Sequence, residues 1–246
     1  MIRVEDLHKS FNGPEVLRGV SLQVERGEVL ALIGMSGYGK SVLLKHIAGL
    51  MKPDRGRVLV AGLDMARTTG KELERLRSRF GFLFQGGALF DSLTVFENVA
   101  FPLRERGASS SEEIRRTVLS KIEEVGLAGS EHKYPAELSG GMVKRAALAR
   151  ALVKDPEIML FDEPTTGLDP IIACAILTLI RKCHRNLGFT GIIVTHQIPR
   201  IFDIVQKVAL LHEGTILAVG TPEEIVSSEN PIVKEFIHGS VKEPIG

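Results

Sequence analysis

The sequence predicts an α/β fold: a mainly parallel sheet flanked by helices, with a helical lobe inserted into it. Three observations predict it. Continuous apolar runs at Val29–Ile33, Ile158–Phe161 and Gly191–Val194 have the make-up of strands buried on both faces. Apolar residues at helical spacing follow two of them, at Leu43, Leu44, Ile47 and Leu50, and at Ile172, Ile176, Leu179, Ile180, Cys183 and Leu187. Residues 88–137 carry a helical pattern unlike their surroundings.

Taken in order, residues 1–33 read as short strands. Ile2 and Val4 alternate with polar neighbours, as do Val20, Leu22 and Val24, and Arg26-Gly27 marks a turn. Phe11 lies in the polar stretch Lys9-Ser10-Phe11-Asn12-Gly13, where a ring has little core to join. It either stacks on a purine base or folds back onto the sheet. The run Val29–Ile33 then leads directly into Gly34-Met35-Ser36-Gly37-Tyr38-Gly39-Lys40-Ser41, followed by Val42. Gly37 and Gly39 permit positive φ, so that backbone N–H groups close on a polyphosphate. The helix that follows aims its first N–H groups and positive dipole end at the same charge. Lys40 is placed to span β- and γ-phosphate oxygens, and the Ser41 hydroxyl to ligate Mg²⁺. Such a motif arises by chance in roughly 1% of chains of this length, and the strand before it and helix after it lower that further. The expectation is a nucleoside-triphosphate binder.

Pro53-Asp54-Arg55-Gly56 reads as a turn, Arg57–Val60 as a strand and 71–79 as a charged helix. Gln85 ends the apolar run Phe80–Phe84 and precedes two glycines. It is either a simple turn amide or a ligand to Mg²⁺ or the attacking water on a loop that hinges. Ser110 and Glu113 spell a capping box, with Ile114, Val118, Ile122 and Val125 on one face of the helix behind it. Six of the eleven phenylalanines (Phe80, Phe82, Phe84, Phe90, Phe96, Phe101) cluster where the lobe joins the core. Most are expected in the core, on a stretch apolar enough to form a groove for a partner.

Leu138-Ser139-Gly140-Gly141 opens the next helix, with Ser139 as N-cap and two glycines that leave backbone N–H groups unshielded. This is a second anion site, and Lys144, Arg145 and Arg150 follow it. The strand Ile158–Phe161 ends in Asp162 and Glu163. Parallel strands present ligands at their carboxyl ends, so Asp162 is expected to meet Lys40 at one edge. Asp162 suits Mg²⁺, and Glu163 suits the polarising of the attacking water. Asp169 caps a helix begun by Pro170 and ended by Gly188. His196 follows Gly191–Thr195 at the same edge, where a γ-phosphate sensor is favoured over a structural histidine. Val208–Leu211 and Thr215–Val219 pair across a turn, Thr221 and Glu224 form a capping box, and the tail carries Ile232, Val233, Phe236 and Ile237.

Composition is that of an ordinary globular protein. With 246 residues, 44% apolar and 25% charged, and a formal net charge of +1, there is no electrostatic case for nucleic acid as a partner. Tryptophan is absent, which weakens a base-stacking nucleic-acid surface further. Cys174 and Cys183 share one helix too far apart to bridge, and read as small core residues of a reduced compartment. The start lacks the apolar block of a secretory signal, and no apolar run approaches the ~18 residues of a span, so a cytosolic chain is expected.

The order and spacing of these motifs resemble the nucleotide-binding subunit of ATP-binding-cassette (ABC) transporters, from about Ile2 to Gly220. Leu138-Ser139-Gly140-Gly141 is the specific part. The resemblance implies a P-loop NTPase core with an N-terminal antiparallel β subdomain and an inserted helical subdomain. It places an ATPase domain over 1–239, with a core lobe at about 1–87 and 156–230 and a helical lobe at about 88–155. The tail 231–246 is a candidate dimer contact. It also implies a head-to-tail dimer that sandwiches two ATP molecules with Mg²⁺. Ser139, Gly140 and Gly141 of one copy would face the γ-phosphate held by Lys40 of the other, and Asp169 would lie at the seam. Phe11 would be the stacking aromatic, and motion would pass through Gln85 to integral-membrane permease subunits.

A closer likeness is to the ATPases of Mla (maintenance of lipid asymmetry) transporters. It rests on Phe84–Phe90, Asn98–Glu105 and Gly140–Arg150, where Met142 stands in place of a common glutamine or glutamate. That branch implies phospholipid transport at the cytoplasmic face of the inner membrane, as a peripheral subunit. Its further partners are an MCE-domain lipid-binding subunit and, in some systems, a STAS-domain subunit. Gln197 after the histidine, the bulky Tyr38 and Val42 depart from the common pattern. None of them removes a phosphate or Mg²⁺ ligand, so a competent ATPase is expected. The alternatives are a transporter ATPase for another solute, and a non-transport ABC protein that regulates a membrane assembly.

Overall fold

A computed structural model describes residues 1–105 and 110–242. The strands are β1 (Ile2–Ser10), β2 (Glu15–Val24), β3 (Val29–Ile33), β4 (Arg55–Val60), β5 (Leu63–Asp64), β6 (Phe80–Leu83), β7 (Ile158–Asp162), β8 (Thr190–Val194), β9 (Lys207–His212) and β10 (Thr215–Gly220). The helices are α1 (Lys40–Ile47), α2 (Gly70–Arg77), α3 (Val95–Arg104), α4 (Ser111–Glu124), α5 (Gly140–Leu152), α6 (Pro170–Leu187), α7 (Pro222–Val226) and α8 (Pro231–Lys242). The chain divides into two compact units, Met1–Ser78 with Phe189–Gly246, and Arg79–Gly188.

The first unit contains both kinds of sheet. Its antiparallel sheet has the order β2-β1-β4-β5, the N-terminal β subdomain expected from the sequence. The alternating burial of β2 reflects a sheet with one face covered. The second sheet runs β10-β9-β3-β8, with β3 parallel to both β8 and β9 and with β10 returning antiparallel on β9. All five residues of β3 and of β8 are buried, which is why Val29–Ile33 and Gly191–Val194 read as unbroken apolar runs. Thr221 and Glu224 complete the reciprocal cap of α7. Among the described side chains of α8, Val233 and Ile237 are buried, Phe236 is half-buried and Ile232 is exposed.

The second unit pairs β6 with β7 in parallel, and packs α3, α4, α6 and β6 around α5. It is wider than the lobe 88–155, since β6, β7 and α6 group with the helical segment. Val118, Ile122 and Val125 are fully buried, and Ser110 forms the serine half of the expected box by accepting from the Glu113 N–H at 3.2 Å. Two expectations are corrected. None of the six clustered phenylalanines is fully buried: Phe80, Phe82 and Phe96 are half-buried, and Phe84, Phe90 and Phe101 are exposed. The stretch is therefore a surface with aromatic rings rather than a core. Cys174 is exposed on α6, and only Cys183 is a core residue; burial pushes its thiol up to about 11.

Candidate nucleotide-binding site

In the first unit, β3 and β8 leave their shared sheet in step. Leu32 pairs with Val194, so Gly34 and His196 emerge beside each other at the carboxyl edge. Gly34 has φ +148°, and a Cβ there would stand 2.2 Å from the Leu211 carbonyl oxygen. Only hydrogen fits between the loop and β9. Gly37 and Gly39 take φ +85° and +97°, and Gly39 leads straight into α1. The start of α1 carries no side-chain cap and no acidic residue in its first turn, so no side chain of that turn offsets its positive end.

Lys40 is buried, and its ammonium donates to the carbonyls of Gly34 at 2.7 Å and Met35 at 2.9 Å. The cation is thereby held inside the loop it serves. Met35, Ser36 and Gly37 are exposed, while Ser41 and Val42 are half-buried. Tyr38 sets its ring edge-on to His212 at 5.3 Å, which gives the bulky loop residue a packing partner on β9. His196 is exposed at the edge, and Phe11 is 49% exposed in the bend after β1. Neither fills a core position.

The second unit repeats the device with β6 and β7. Leu83 pairs with Phe161, so Phe84 and Gln85 leave the sheet beside Asp162 and Glu163. Glu163 takes φ +49°, a left-handed conformation that costs a non-glycine residue about 1–3 kcal/mol. Its carboxylate accepts a hydrogen bond from the Thr166 hydroxyl at 3.1 Å. Ser139 caps α5 by accepting from the Met142 N–H at 3.4 Å, and Ser139 and Gly140 are exposed. Gly141 lies against α6, since a Cβ there would be 2.7 Å from Ile172 Cγ2. A Cβ on Gly140 would be 3.3 Å from Leu168 Cδ2. That close approach places the mouth of α5 next to the exposed Asp169. The Asp169 carboxylate caps α6 by accepting from the N–H groups of Ile171 and Ile172, each at 3.0 Å.

The basic residues after Ser139 do not extend the anion site. Lys144 is buried and donates to the Gln85 carbonyl, while Arg150 donates to those of Gly87 and Ala88 at 2.8 and 2.7 Å. Arg145 donates to Val125 O at 2.8 Å. Burial lowers the pKa of Lys144 against an opposing pull from the Glu163 charge, and burial alone lowers that of Arg150. Sequence reasoning missed Lys144 as the residue that fixes the Gln85 loop. Its only sequence signal is a lysine within the apolar face that runs through Ala147, Leu148 and Ala151.

The ABC transporter family model matches residues 17–166. The chain belongs to the ABC transporter family. This ABC subunit is an ATPase. It is 43% identical over 245 residues to a probable ribonucleotide transport ATP-binding protein of Mycobacterium leprae, covering all of this chain and 71% of that one. It is 40% identical over 245 residues to MlaF, the intermembrane phospholipid transport system ATP-binding protein of Haemophilus influenzae, covering all of this chain and 93% of that one. Among solved structures it resembles the ATP-binding cassette MJ0796, a dimer in a post-hydrolysis state bound to ADP and Pi. The TM-score is 0.82 at 32% identity, over 90% of this chain and 99% of that one.

The approach of the loop to β9 has a measurable consequence in this ABC subunit. Gly34→Ala should lower unfolding stability by about 1–3 kcal/mol and disorder the loop. Urea denaturation of the full chain checks it; a variant as stable as the parent would show that the loop can leave β9 at no cost.

Proposed function

We propose that two copies of this ATPase close head to tail over two ATP molecules, and that the cycle drives phospholipid through a membrane permease. The observation that carries the reading is the exposed mouth of α5 at Ser139 and Gly140, a second anion-binding helix end that a single P-loop does not need. The dimeric form of the MJ0796 cassette supports the pairing, and MlaF of H. influenzae supports the cargo.

In this reading Phe11 stacks on the base, and the loop Gly34–Val42 wraps the phosphates. Lys40 turns from its loop carbonyls to the β- and γ-phosphate oxygens. Ser139, Gly140 and Gly141 of the second copy donate to the γ-phosphate from the far side, with Asp169 at the seam. Glu163 takes a proton from water as its oxygen attacks the γ-phosphorus; the bond to the β-phosphate oxygen breaks, and ADP and phosphate leave. His196 steadies the γ-phosphate. Ser41, Gln85 and Asp162 offer hydroxyl, amide and carboxylate oxygens, a donor set that suits Mg²⁺, which keeps few protein ligands. When bound, Mg²⁺ neutralises charge on the phosphates.

In this reading the permease is a separate partner; no helix among the described residues is long and apolar enough to cross a membrane. Its docking surface is the aromatic face of the second unit. There the Phe90 and Phe101 rings lie 4.8 Å apart, those of Phe82 and Phe84 stack at 4.0 Å, and Arg150 stands over Phe90. The subunit then sits at the cytoplasmic face of the inner membrane, with an MCE-domain lipid carrier and a STAS-domain subunit as further partners.

Glu163→Gln should keep ATP affinity within about threefold and lower turnover by about 10²–10⁴-fold, as measured by phosphate release and equilibrium binding. Near-normal turnover would remove Glu163 from its role. Lys40→Ala should weaken ATP binding by about 10–100-fold. For the cargo, pull-down of the tagged chain from detergent-solubilised membranes should recover a permease complex whose ATPase rate rises with added phospholipid. A permease complex stimulated by a ribonucleotide or amino acid, and not by lipid, would favour another solute.

A further inference from the structure

Phe11 sits in the bend between β1 and β2, with Asn12 at φ +50° directly after it. The fold holds this bend from a distant point. Asp54, in the turn between α1 and β4, accepts from the Lys9 ammonium at 2.6 Å through one carboxylate oxygen. Its other oxygen accepts from the Ser10 N–H at 2.8 Å and the Ser10 hydroxyl at 3.0 Å. The Asp54 N–H donates to the His8 carbonyl at 3.0 Å. One residue therefore makes four hydrogen bonds to the three residues that precede Phe11. The Lys9 ammonium, held on Asp54, also lies 5.5 Å from the centre of the Phe11 ring, within reach of a cation–π contact. The ring is thus fixed along the chain through Ser10 and across its face through Lys9. Asp54 follows the helix whose first residues, Lys40 and Ser41, belong to the phosphate loop.

We propose that Asp54 is a positioning residue for nucleobase recognition: it sets the Phe11 ring at the height and tilt that a purine stacks on, and ties that ring to the helix that carries the phosphate loop. The proposal rests on the reading of Phe11 as the base-stacking residue. Donation by Lys9 and then by the Ser10 N–H holds the Asp54 carboxyl down at about 2, so the brace is ionised throughout the pH range of any binding assay.

The test uses two ligands that share their phosphates and differ in the base. Binding of ATP and of inorganic tripolyphosphate to the full-length protein is measured by calorimetry in EDTA. Asp54→Ala should weaken ATP by about 5–10-fold, a part of the value of a stacked base, and tripolyphosphate by less than about twofold. Asp54→Asn can still accept from the Ser10 N–H but loses the charge that holds Lys9, so its loss should be intermediate, with the melting temperature close to that of the parent. Phe11→Ala should lose at least as much as Asp54→Ala, and Asp54→Ala should add nothing in the Phe11→Ala background. Equal weakening of ATP and tripolyphosphate by both Asp54 variants would make Asp54 a structural residue and overturn the proposal. Unchanged ATP binding in the Asp54 variants, with Phe11→Ala impaired, would overturn the brace and leave the stacking role intact. Unchanged ATP binding in Phe11→Ala would overturn both.

Discussion

The glycine loop Gly34–Ser41 depends on a single backbone approach, that of Gly34 to the Leu211 carbonyl on β9. Because β3 lies between β8 and β9, the chain leaving Ile33 has another strand on either side. Without a side chain at position 34 the loop turns while still in contact with β9, and its first two carbonyls face inward. Those are the carbonyls that receive Lys40. A side chain at 34 would displace the loop, the lysine and the start of α1 as one. The geometry of the loop is in this sense a property of how closely two strands and a turn can pack, rather than of one charged residue.

The second unit rests on an equivalent contact between helices. Gly141 lets α5 approach α6 at Ile172, and this brings the Ser139 cap and the Asp169 cap to neighbouring positions. Both caps satisfy their own helices and remain exposed. Exposed helix mouths whose caps are already satisfied stay ordered without a ligand. They need little rearrangement to receive an anion, which lowers the ordering cost of binding.

Most of this was legible in the sequence because its signals are local. A five-residue apolar run meets the burial demand of a central parallel strand, and a glycine series before Lys-Ser meets the sterics of the turn. Ser139, Asp169 and Thr221 cap the helices that their positions predict. The failures share a cause, which is that they depend on what lies across space. Hydrophobicity places Phe84, Phe90 and Phe101 in a core, yet they lie at a surface, where the rings meet one another and, at Phe90, the Arg150 guanidinium. Cys174 and Cys183 fall nine residues apart, two and a half turns, which puts them on opposite sides of α6. Asp54 reads as an ordinary turn aspartate because its partners, Lys9 and Ser10, are more than forty residues earlier.

Lys144 and Arg150 show the same limit and carry a mechanical consequence. Charged side chains at α5 positions look like an extension of the anion site until their partners are known. Those partners are the carbonyls of Gln85, Gly87 and Ala88, so one helix holds three carbonyls within four residues of the loop. A buried cation that loses its acceptor is left uncompensated, at a cost of several kcal/mol in typical cases, about 3–5. The loop can therefore move far only if α5 moves with it or if both cations find new acceptors. The first route keeps every hydrogen bond and needs no desolvated charge to be exposed. A displacement of Gln85 that kept these hydrogen bonds would carry α5, with its capped end at Ser139, along with it.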